Sequence, residues 1–343
     1  MKAIVSERHG PNSVVMKDVQ KPEVIQPGHV LLRMRAVGVC GSDIHIYNGD
    51  ETYQRKSPVT LGHEMTGVVE DTGSGVSVFE KGDRVVSETA YNVCGKCFNC
   101  RTGNYNLCPD RIGFGALADG GMAEFLVVRE DILHQVPDGV DDVTAALTEP
   151  TCVAFNAAST LGVIKPADTV LIIGPGPIGL MSLQVALLHS PYNVSVLGTA
   201  SDGARLELAS SLGADDVFTS PRSAAEKLKS VGWAGGADVV IDAAGVSSTL
   251  KIALGAVRHG GRIVKVGWGP DKPDFSLDPI VGKAVDLQGS FSHNWATWER
   301  VLRLFAKGKL RPAEIASTYQ MADWKTSFEE MRSLKIAKGV LLI

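Results

Sequence analysis

The chain has 343 residues, a formal net charge of −4, 44% apolar residues and 21% charged residues. This length suits about two domains, and the nearly balanced charge argues against a nucleic-acid or membrane-surface partner, which would need a basic face. The first residues, MKAIVSERHGPNSVV, have neither the apolar core nor the small-residue cleavage pattern of a signal peptide. We therefore expect a cytoplasmic protein whose thiols stay reduced.

The first candidate site combines two short motifs. Cys40 lies in GVCGSDIHIY, and His63 and Glu64 lie in VTLGHEMTG. Each residue alone means little, but together they offer a thiolate, an imidazole and a carboxylate. Three protein ligands with one open position are the arrangement of a catalytic zinc. We expect Asp43 to orient the ligand imidazole, and Glu149, in LTEPTCVAF, to act as a direct ligand or through a bound water.

The second candidate site is a loop with the spacing C-x2-C-x2-C-x7-C, formed by Cys94, Cys97, Cys100 and Cys108. In a reducing compartment this spacing indicates metal ligation more than disulfides. Four thiolates fill a tetrahedral shell around zinc and leave no position for a substrate. A structural zinc is the favoured interpretation, and an iron–sulfur cluster is the alternative.

An uncharged segment follows between Asp168 and Asp202. Its most apolar part, VLIIGPGPIGLMSLQVALL, has the length of a membrane helix. Its prolines, glycines, serine and glutamine do not suit a lipid-facing helix, so the segment predicts a buried strand, a glycine turn and a buried helix.

The turn carries a nucleotide-binding fingerprint, G-x-G-x-x-G, at Gly174, Gly176 and Gly179. Pro177 and Ile178 complete it, and the backbone N–H groups at the helix start could face a pyrophosphate. Alternating strand and helix patterns follow: NVSVLG, ARLELASSLG, ADVVIDAAG and GRIVKVGW. They predict an α/β fold with a doubly wound parallel sheet.

The choice between NAD(H) and NADP(H) is open in the sequence. An acidic residue usually ends the second strand of an NAD-binding unit, but here the strand runs into Thr199 and Ser201, and the first acid is Asp202. Thr199 and Ser201 could bond a ribose or a 2′-phosphate, with Arg205 nearby. The alternative is that Arg205 caps a solvated helix face.

Substrate contacts are predicted at two further places. His293 and Asn294, in SHNW, suggest a polar, polyhydroxylated substrate, with helix packing as the alternative. Arg55 and Lys56 could meet a phosphate, although a solvated loop is the simpler account of them.

The ordered motifs resemble the zinc-dependent medium-chain dehydrogenases, and the polyol (sorbitol, xylitol and arabitol-type) dehydrogenases among them. GVCGSDIHIY, LGHEMTGVV, DRV, the four-cysteine loop, the TEP at 148–150 and the glycine fingerprint occur in this order along the whole chain. The resemblance implies a β-rich GroES-like catalytic domain at 1–150 and 286–343, a Rossmann domain at 151–285, and two zinc ions per chain. It also implies a homodimer or homotetramer.

The resemblance further implies roles for single residues. Cys40, His63 and Glu64 match the ligands of the catalytic zinc, and Ser42 and His45 match the hydroxyl and imidazole of a proton relay. The implied activity is reversible hydride transfer between a secondary alcohol of a polyol, or of a sugar alcohol phosphate, and NAD(P)+.

Two rival functions remain. CGSDIHIYNGDE also resembles threonine dehydrogenases, which makes an amino alcohol the main rival substrate. A non-catalytic protein that binds a nucleotide and zinc is the rival of a different class, and the relay residues Ser42 and His45 count against it.

Overall fold

The computed structural model describes residues 1–23, 26–50, 55–233, 235–269 and 272–343. Within these ranges the strands are β1 (Lys2–Ser6), β2 (Val14–Asp18), β3 (His29–Gly38), β4 (Val59–Thr60), β5 (Glu64–Thr72), β6 (Arg84–Ser87), β7 (Ala90–Asn92), β8 (Ile112–Gly113), β9 (Phe125–Arg129), β10 (Leu133–Gln135), β11 (Thr169–Ile173), β12 (Asn193–Leu197), β13 (Asp216–Phe218), β14 (Ala237–Asp242), β15 (Val257–Lys265), β16 (Asp286–Gly289), β17 (Ala316–Gln320) and β18 (Lys338–Leu342).

The helices in the same ranges are α1 (Gly41–Asn48), α2 (Phe98–Arg101), α3 (Asp142–Ala146), α4 (Thr148–Phe155), α5 (Pro177–Leu187), α6 (Gly203–Ser211), α7 (Pro221–Val231), α8 (Ser248–Ala256), α9 (Asp278–Gly282), α10 (Trp295–Ala306) and α11 (Trp324–Arg332). Packing divides the described chain into two units, Met1–Glu149 with His293–Ile343, and Pro150–Ser292. The assignment of a catalytic function to 1–150 and 286–343, and of nucleotide binding to 151–285, stays a prediction.

The first unit is built around β3, which pairs with β5, β9 and β18. In HVLLRMRAVG the arginines are exposed while Leu32, Met34 and Ala36 are buried, because successive side chains of a strand point to opposite faces. The main sheet has the order β10-β6-β5-β3-β18-β17, and its core also takes in Trp324 and Phe328 of α11. The first unit is therefore β-rich.

The second unit contains a six-stranded parallel sheet in the order β13-β12-β11-β14-β15-β16. Helix α5 packs against β11, β12 and β14, and α8 packs against β11, β14 and β15. Parallel strands need crossover connections, which these helices supply. The prediction of a doubly wound α/β unit is confirmed.

The uncharged segment forms a buried strand, a turn and a helix, as predicted. β11 is buried along its full length, and α5 begins after the glycine turn with Pro177 in its first turn. In the part of the chain that the structure describes, no helix is long and apolar enough to cross a membrane.

Candidate active site and metal centres

The first metal set lies where β3 ends and α1 begins. Cys40 is the N-cap residue of α1, and its backbone N–H donates a hydrogen bond to Asp43 Oδ2 at 2.9 Å. Ligand atoms of Cys40, His63 and Glu64 all lie within 4.8 Å of one another. Residues that are distant in the sequence therefore converge on one point, as a shared metal ion requires.

Glu64 reaches this point because Gly38 leaves room for it. The two residues are paired between β3 and β5. A Cβ atom at position 38 would lie 2.1 Å from Oε2 of Glu64, so a side chain there would displace the carboxylate. A glycine inside a strand often marks such a close approach.

The Glu64 carboxylate also meets a buried cation. Lys338 Nζ, in β18, donates to Glu64 Oε1 at 2.6 Å and to the carbonyl oxygen of Val39 at 2.7 Å. Nζ lies 2.5 Å from Oε2 as well, yet Oε2 accepts no hydrogen bond in suitable geometry from the described residues. Oε2 thus meets the ammonium as an ion pair without a well-aligned hydrogen bond, and its lone pairs can also bind a metal ion, so the donor set is suited to zinc.

Charges in this site shift the protonation of its members. Burial opposes the charged form of His63, but the Cys40 thiolate, together with the carboxylates of Asp43 and Glu149, raises the pKa of His63 to about 10. Burial raises the pKa of Glu64 and of Asp43 above their usual range. Metal ligands must be deprotonated, so binding of a cation here would displace a proton.

Asp43 does not show the contact that the sequence predicted for it. Its carboxylate accepts hydrogen bonds from the backbone N–H groups of Cys40 and Gly62, although its charge acts on His63. It therefore fixes the two backbone segments that carry the ligands, in addition to its electrostatic effect on the imidazole.

The predicted relay residues lie on the helix that follows Cys40. Ser42 is half-buried in the first turn of α1, and His45 is exposed one turn later. Residues three apart share a helix face. His45 Nδ1 lies 3.1 Å from Asp50 Oδ2, and the relay role of Ser42 and His45 stays a prediction.

Glu149 lies at the start of α4 and is almost fully buried. Its Oε1 is 3.0 Å from Nε2 of His293. Burial would raise the pKa of this carboxyl group, but hydrogen bonding by His293 and positive charge at His63 and Lys338 keep it below its usual range. Glu149 is not among the residues whose ligand atoms lie within 4.8 Å of one another in this site. Its contact with the metal therefore stays a prediction.

The predicted substrate residues His293 and Asn294 have protein contacts in the structure. His293 is buried, and its Nδ1 accepts from Trp298 Nε1–H at 2.7 Å. Asn294 caps α10 by accepting from the Thr297 N–H, and its Nδ2 lies 3.4 Å from the carbonyl oxygen of Gly103. Their role in substrate contact stays a prediction.

The four cysteines form the second metal set. Sulfur atoms of Cys94, Cys97, Cys100 and Cys108 lie within 4.8 Å of one another. The Cys94 and Cys100 sulfurs are 3.9 Å apart, close to the spacing of about 3.8 Å that tetrahedral zinc with Zn–S bonds of about 2.3 Å requires. The thiols therefore fit a closed, structural zinc.

Backbone N–H groups donate hydrogen bonds to these thiols. Cys94, Cys97 and Cys100 each donate their own N–H to a sulfur of another member at 3.4 Å. The N–H groups of Lys96 and Cys97 lower the pKa of the Cys94 thiol to about 7. Burial and the neighbouring Cys97 and Cys108 thiols, by contrast, raise the pKa of Cys100 to about 12. Binding of a metal ion by all four sulfurs would therefore displace protons from the loop.

The glycine turn of the second unit has the geometry of a phosphate-binding loop. Gly174 has φ +94, and a Cβ at Gly179 would lie 1.9 Å from the carbonyl oxygen of Gly174. A Cβ at Gly176 would meet nothing within 4 Å. Pro177 and Ile178 begin α5 beside this open space, where N–H groups can bind an anion.

The end of β12 carries the residues predicted to contact the ribose. Thr199 and Ser201 are exposed, whereas Arg205 is largely buried. The Thr199 hydroxyl and N–H both donate to Asp202 Oδ2, at 2.7 and 2.8 Å, and Arg205 lies 3.9 Å from Asp202. Asp202 therefore contacts both Thr199 and Arg205, and its carboxylate places a negative charge at the end of β12. The cofactor contacts themselves stay predictions.

Arg55 and Lys56 differ in their surroundings. Lys56 is exposed and pairs with Asp119. Arg55 is only 6% exposed, and its Nη1 donates to the carbonyl oxygen of Asp50 at 3.2 Å. The account of a solvated loop is therefore wrong for Arg55; residues 51–54, which precede it in ETYQRKSP, lie outside the described residues.

Sequence reasoning missed Gly38, Lys338 and Trp298. Two of them could have been noticed in the sequence. Gly38 lies in the mostly buried strand β3, and Lys338 is the one charged residue of the strand KGVLL; each is unusual in a buried strand. Nothing local to Trp298 indicated its contact with His293, since that contact depends on the turn before α10.

The comparisons with known proteins agree with this geometry. Residues 26–138 match the model of the alcohol dehydrogenase GroES-like domain, and residues 177–307 match that of the zinc-binding dehydrogenases. The chain is 36% identical to a sorbitol dehydrogenase of Halalkalibacterium halodurans, with 99% of both chains covered. It is 34% identical to a D-arabitol-phosphate dehydrogenase of Enterococcus avium, covering 96% of this chain and 94% of that protein.

Two further relatives extend the comparison. An L-threonine 3-dehydrogenase of Rhizobium etli is 31% identical, with 99% of this chain and 98% of that protein covered. A solved structure of a zinc-binding dehydrogenase from Sinorhizobium meliloti bound to NADP superposes with a TM-score of 0.89 at 29% identity, covering 100% of this chain and 99% of that one. Relatives of this identity and coverage share both the GroES-like and the Rossmann-type parts of the fold. The chain therefore belongs to the zinc-binding alcohol dehydrogenase family and is an oxidoreductase.

Proposed function

We propose that the chain catalyses the reversible oxidation of a secondary alcohol of a polyol, or of a sugar alcohol phosphate, with NAD(P)+ as the hydride acceptor. The observation that carries this proposal is the convergence of Cys40, His63 and Glu64 within 4.8 Å, with a carboxylate oxygen of Glu64 that accepts no hydrogen bond from the described residues. A zinc ion bound there supplies a Lewis acid that lowers the pKa of an alcohol hydroxyl.

The chain's own residues would bind this ion and remove the substrate proton. Cys40, His63 and Glu64 hold the metal, and the buried ammonium of Lys338 fixes the Glu64 carboxylate. Ser42 accepts the proton of the substrate hydroxyl, and His45 passes it to solvent. The side chain of His45 is 46% exposed, which suits the outer member of a relay.

A polyol fits the charges of the site. Glu64, a member of the metal set, and Glu149 are both buried carboxylates, and the charge of Glu149 acts on His63 and on Glu64. Buried carboxylates prefer partners that donate hydrogen bonds, and the hydroxyl groups next to the reacting carbon of a polyol can do so. The similarity to a sorbitol dehydrogenase and an arabitol-phosphate dehydrogenase supports the same substrate class.

The test is turnover of sorbitol, xylitol, arabitol, arabitol phosphate and L-threonine with NAD+ and with NADP+. A polyol or its phosphate should give the highest kcat/KM. Ser42→Ala should lower kcat by about 100-fold or more, the usual contribution of a positioned acid–base group, while the exposed control Ser74→Ala should not. No turnover of any alcohol by the zinc-loaded protein would favour the non-catalytic binding protein instead.

An amino alcohol substrate is the second candidate. The L-threonine 3-dehydrogenase similarity, at 31% identity over nearly the whole chain, favours it. The ammonium group of such a substrate would also be attracted electrostatically to the Glu149 carboxylate. A higher kcat/KM for L-threonine than for every polyol in the same panel would establish this candidate.

The proposal includes location and assembly. A cytoplasmic location is supported by six cysteines without a disulfide, four of them arranged for a metal. A homodimer or homotetramer is supported by β16, an exposed edge strand of the parallel sheet near the exposed Trp268 and Phe291. Exposed strand edges pair readily with a second chain, so Leu287→Lys should lower the mass measured by light scattering.

A further inference from the structure

We propose that Trp298 and His293 form a positioning pair that holds the Glu149 carboxylate in one orientation beside the metal ligands. This inference rests on the proposed function, because it assigns the carboxylate to that reaction's site. All three side chains are buried, and the structure records an unbroken path between them: Trp298 Nε1 to His293 Nδ1 at 2.7 Å, and His293 Nε2 to Glu149 Oε1 at 3.0 Å.

The direction of these hydrogen bonds follows from the indole. A tryptophan Nε1–H can only donate, so Nδ1 of His293 must present its lone pair. The ring proton of a neutral imidazole then lies on Nε2, which donates to Glu149 Oε1. Trp298 therefore selects the tautomer of His293, and that tautomer offers a single donor to the carboxylate. An imidazolium would place two N–H groups against each other at Trp298.

The indole of Trp298 is itself held in place. It is fully buried, and its ring lies nearly parallel to that of His134, with the ring centroids 5.3 Å apart and 7° between the planes. His134 is bonded at both nitrogens, to Glu299 at 2.7 Å and to Glu88 at 3.2 Å. A side chain with so many fixed neighbours has one rotamer available, which makes it a suitable support for a second residue.

The same path continues to the four-cysteine loop. Tyr105, which lies between Cys100 and Cys108 in the sequence, donates its hydroxyl to both oxygens of Glu88, at 2.7 and 2.8 Å. Glu88 in turn bonds His134, which packs on Trp298. The four-cysteine loop thus contributes Tyr105 to the chain of contacts that supports His293.

Four variants separate positioning from general stability. His293→Gln keeps an N–H donor that can reach Glu149, whereas His293→Leu removes it. Trp298→Phe keeps an aromatic ring on His134 but removes the N–H that selects the tautomer. Trp324→Phe, in the core of the same unit, is the matched control for loss of an indole. Each holoenzyme is assayed for zinc release to a colorimetric chelator and for kcat and KM.

The positioning pair predicts a graded result. His293→Leu should release the more labile zinc about 10- to 100-fold faster, the usual effect of losing a residue that orients a metal's surroundings, and should lower kcat more than it raises KM. His293→Gln should restore most of both. Trp298→Phe should also release the more labile zinc faster than the wild type does. The less labile zinc should leave at the wild-type rate in all four variants.

The inference would be overturned if His293→Leu and His293→Gln released zinc at the same rate. It would also be overturned if Trp298→Phe and Trp324→Phe did so. If His293→Leu does not fold, the comparison of the two tryptophan variants decides. Zinc release needs no substrate, so it tests the positioning pair even if no alcohol is oxidised, and that second outcome would count against the proposed function alone.

Discussion

Lys338 Nζ lies 2.6 Å from Oε1 of Glu64, and both side chains are about 1% exposed to solvent. Two buried charges remain ionised only when each compensates the other. A third charge, a metal ion at Oε2, would share the same carboxylate. The ion pair therefore favours the ionised form of Glu64, against the burial that raises the pKa of its carboxyl group.

Loss of this ammonium should destabilise the protein. Lys338→Met leaves the Glu64 carboxylate buried without its cation, and breaking a buried pair by removing one partner costs about 3–5 kcal/mol. The double variant Lys338→Met with Glu64→Gln should recover much of that loss, because no charge remains unpaired. Denaturant unfolding of the zinc-free protein measures the loss of stability in the single variant and its recovery in the double variant. Equal stability of the wild type and Lys338→Met would contradict this prediction.

The sequence predicted the cysteine loop as a metal site because four thiols lie close together at a recognised spacing. The glycine turn was interpreted from the apolar run before it and the helical pattern after it, and Cys40, His63 and Glu64 were interpreted only as a set. The roles of these residues in the reaction stay predictions. The parallel sheet followed from apolar runs that alternate with helical segments.

The contacts that the sequence did not predict join distant segments. Lys338 reaches Glu64 because β18 lies beside β3, and β3 beside β5, an arrangement that strand pairing sets. His293 meets Glu149 across 144 positions of the chain. A solvated loop is the simpler account of Arg55 from the sequence, yet tertiary packing buries this side chain. Residue patterns report which face is apolar but not which partner covers it.

The four-cysteine loop should bind its metal independently of the active site. Cys100→Ser removes one thiolate from a closed shell, so zinc content should fall from about two to about one per chain. The free energy of unfolding should fall as well, because binding of a structural metal contributes directly to folding. Cys152→Ala, which deletes a thiol outside the cluster, is the control and should keep both ions. Elemental analysis showing the same zinc content in both variants would contradict a structural zinc at this loop.

Arg55 should matter for a phosphorylated substrate. Its Nη1 bonds the carbonyl oxygen of Asp50, whose carboxylate meets His45 of the proposed relay, and its Nε and Nη2 have no hydrogen-bond partner among the described residues. A guanidinium can bind a phosphate through two parallel hydrogen bonds, which lysine cannot reproduce. Arg55→Lys should raise KM for arabitol phosphate by about 10-fold, or about 1.4 kcal/mol, without changing KM for arabitol.

The exposed Lys56→Ala is the control for that comparison. Its side chain pairs with Asp119 at the surface and should leave both KM values unchanged. Equal effects of Arg55→Lys on the two substrates would assign Arg55 to the structure of the loop and not to phosphate binding.

Asp202 should set the preference between the two cofactors. Asp202 and Pro175 of the glycine turn both approach Gly198: a Cβ built at Gly198 would lie 3.1 Å from Asp202 Cβ and 2.9 Å from Pro175 Cγ. A 2′-phosphate near the Asp202 carboxylate would be repelled. Asp202→Asn should therefore raise kcat/KM for NADP+ relative to NAD+ by about 10-fold, with the cap at Thr199 kept by the amide oxygen.

The control for this change is Asp168→Asn, just before β11 at the opposite end of that strand from the glycine turn. It should leave the ratio of the two kcat/KM values at the wild-type figure. A ratio unaffected by Asp202→Asn would place the 2′-phosphate away from this carboxylate.

The first experiment is to measure metal content before and after brief chelation, with activity recorded on the same samples. We expect about two zinc ions per chain. One should leave quickly together with oxidation of the preferred polyol, and both should return when zinc is restored. A single, tightly held zinc with no turnover of any polyol or of L-threonine would contradict this expectation, because the four cysteines would then bind a metal while Cys40, His63 and Glu64 do not form a working site.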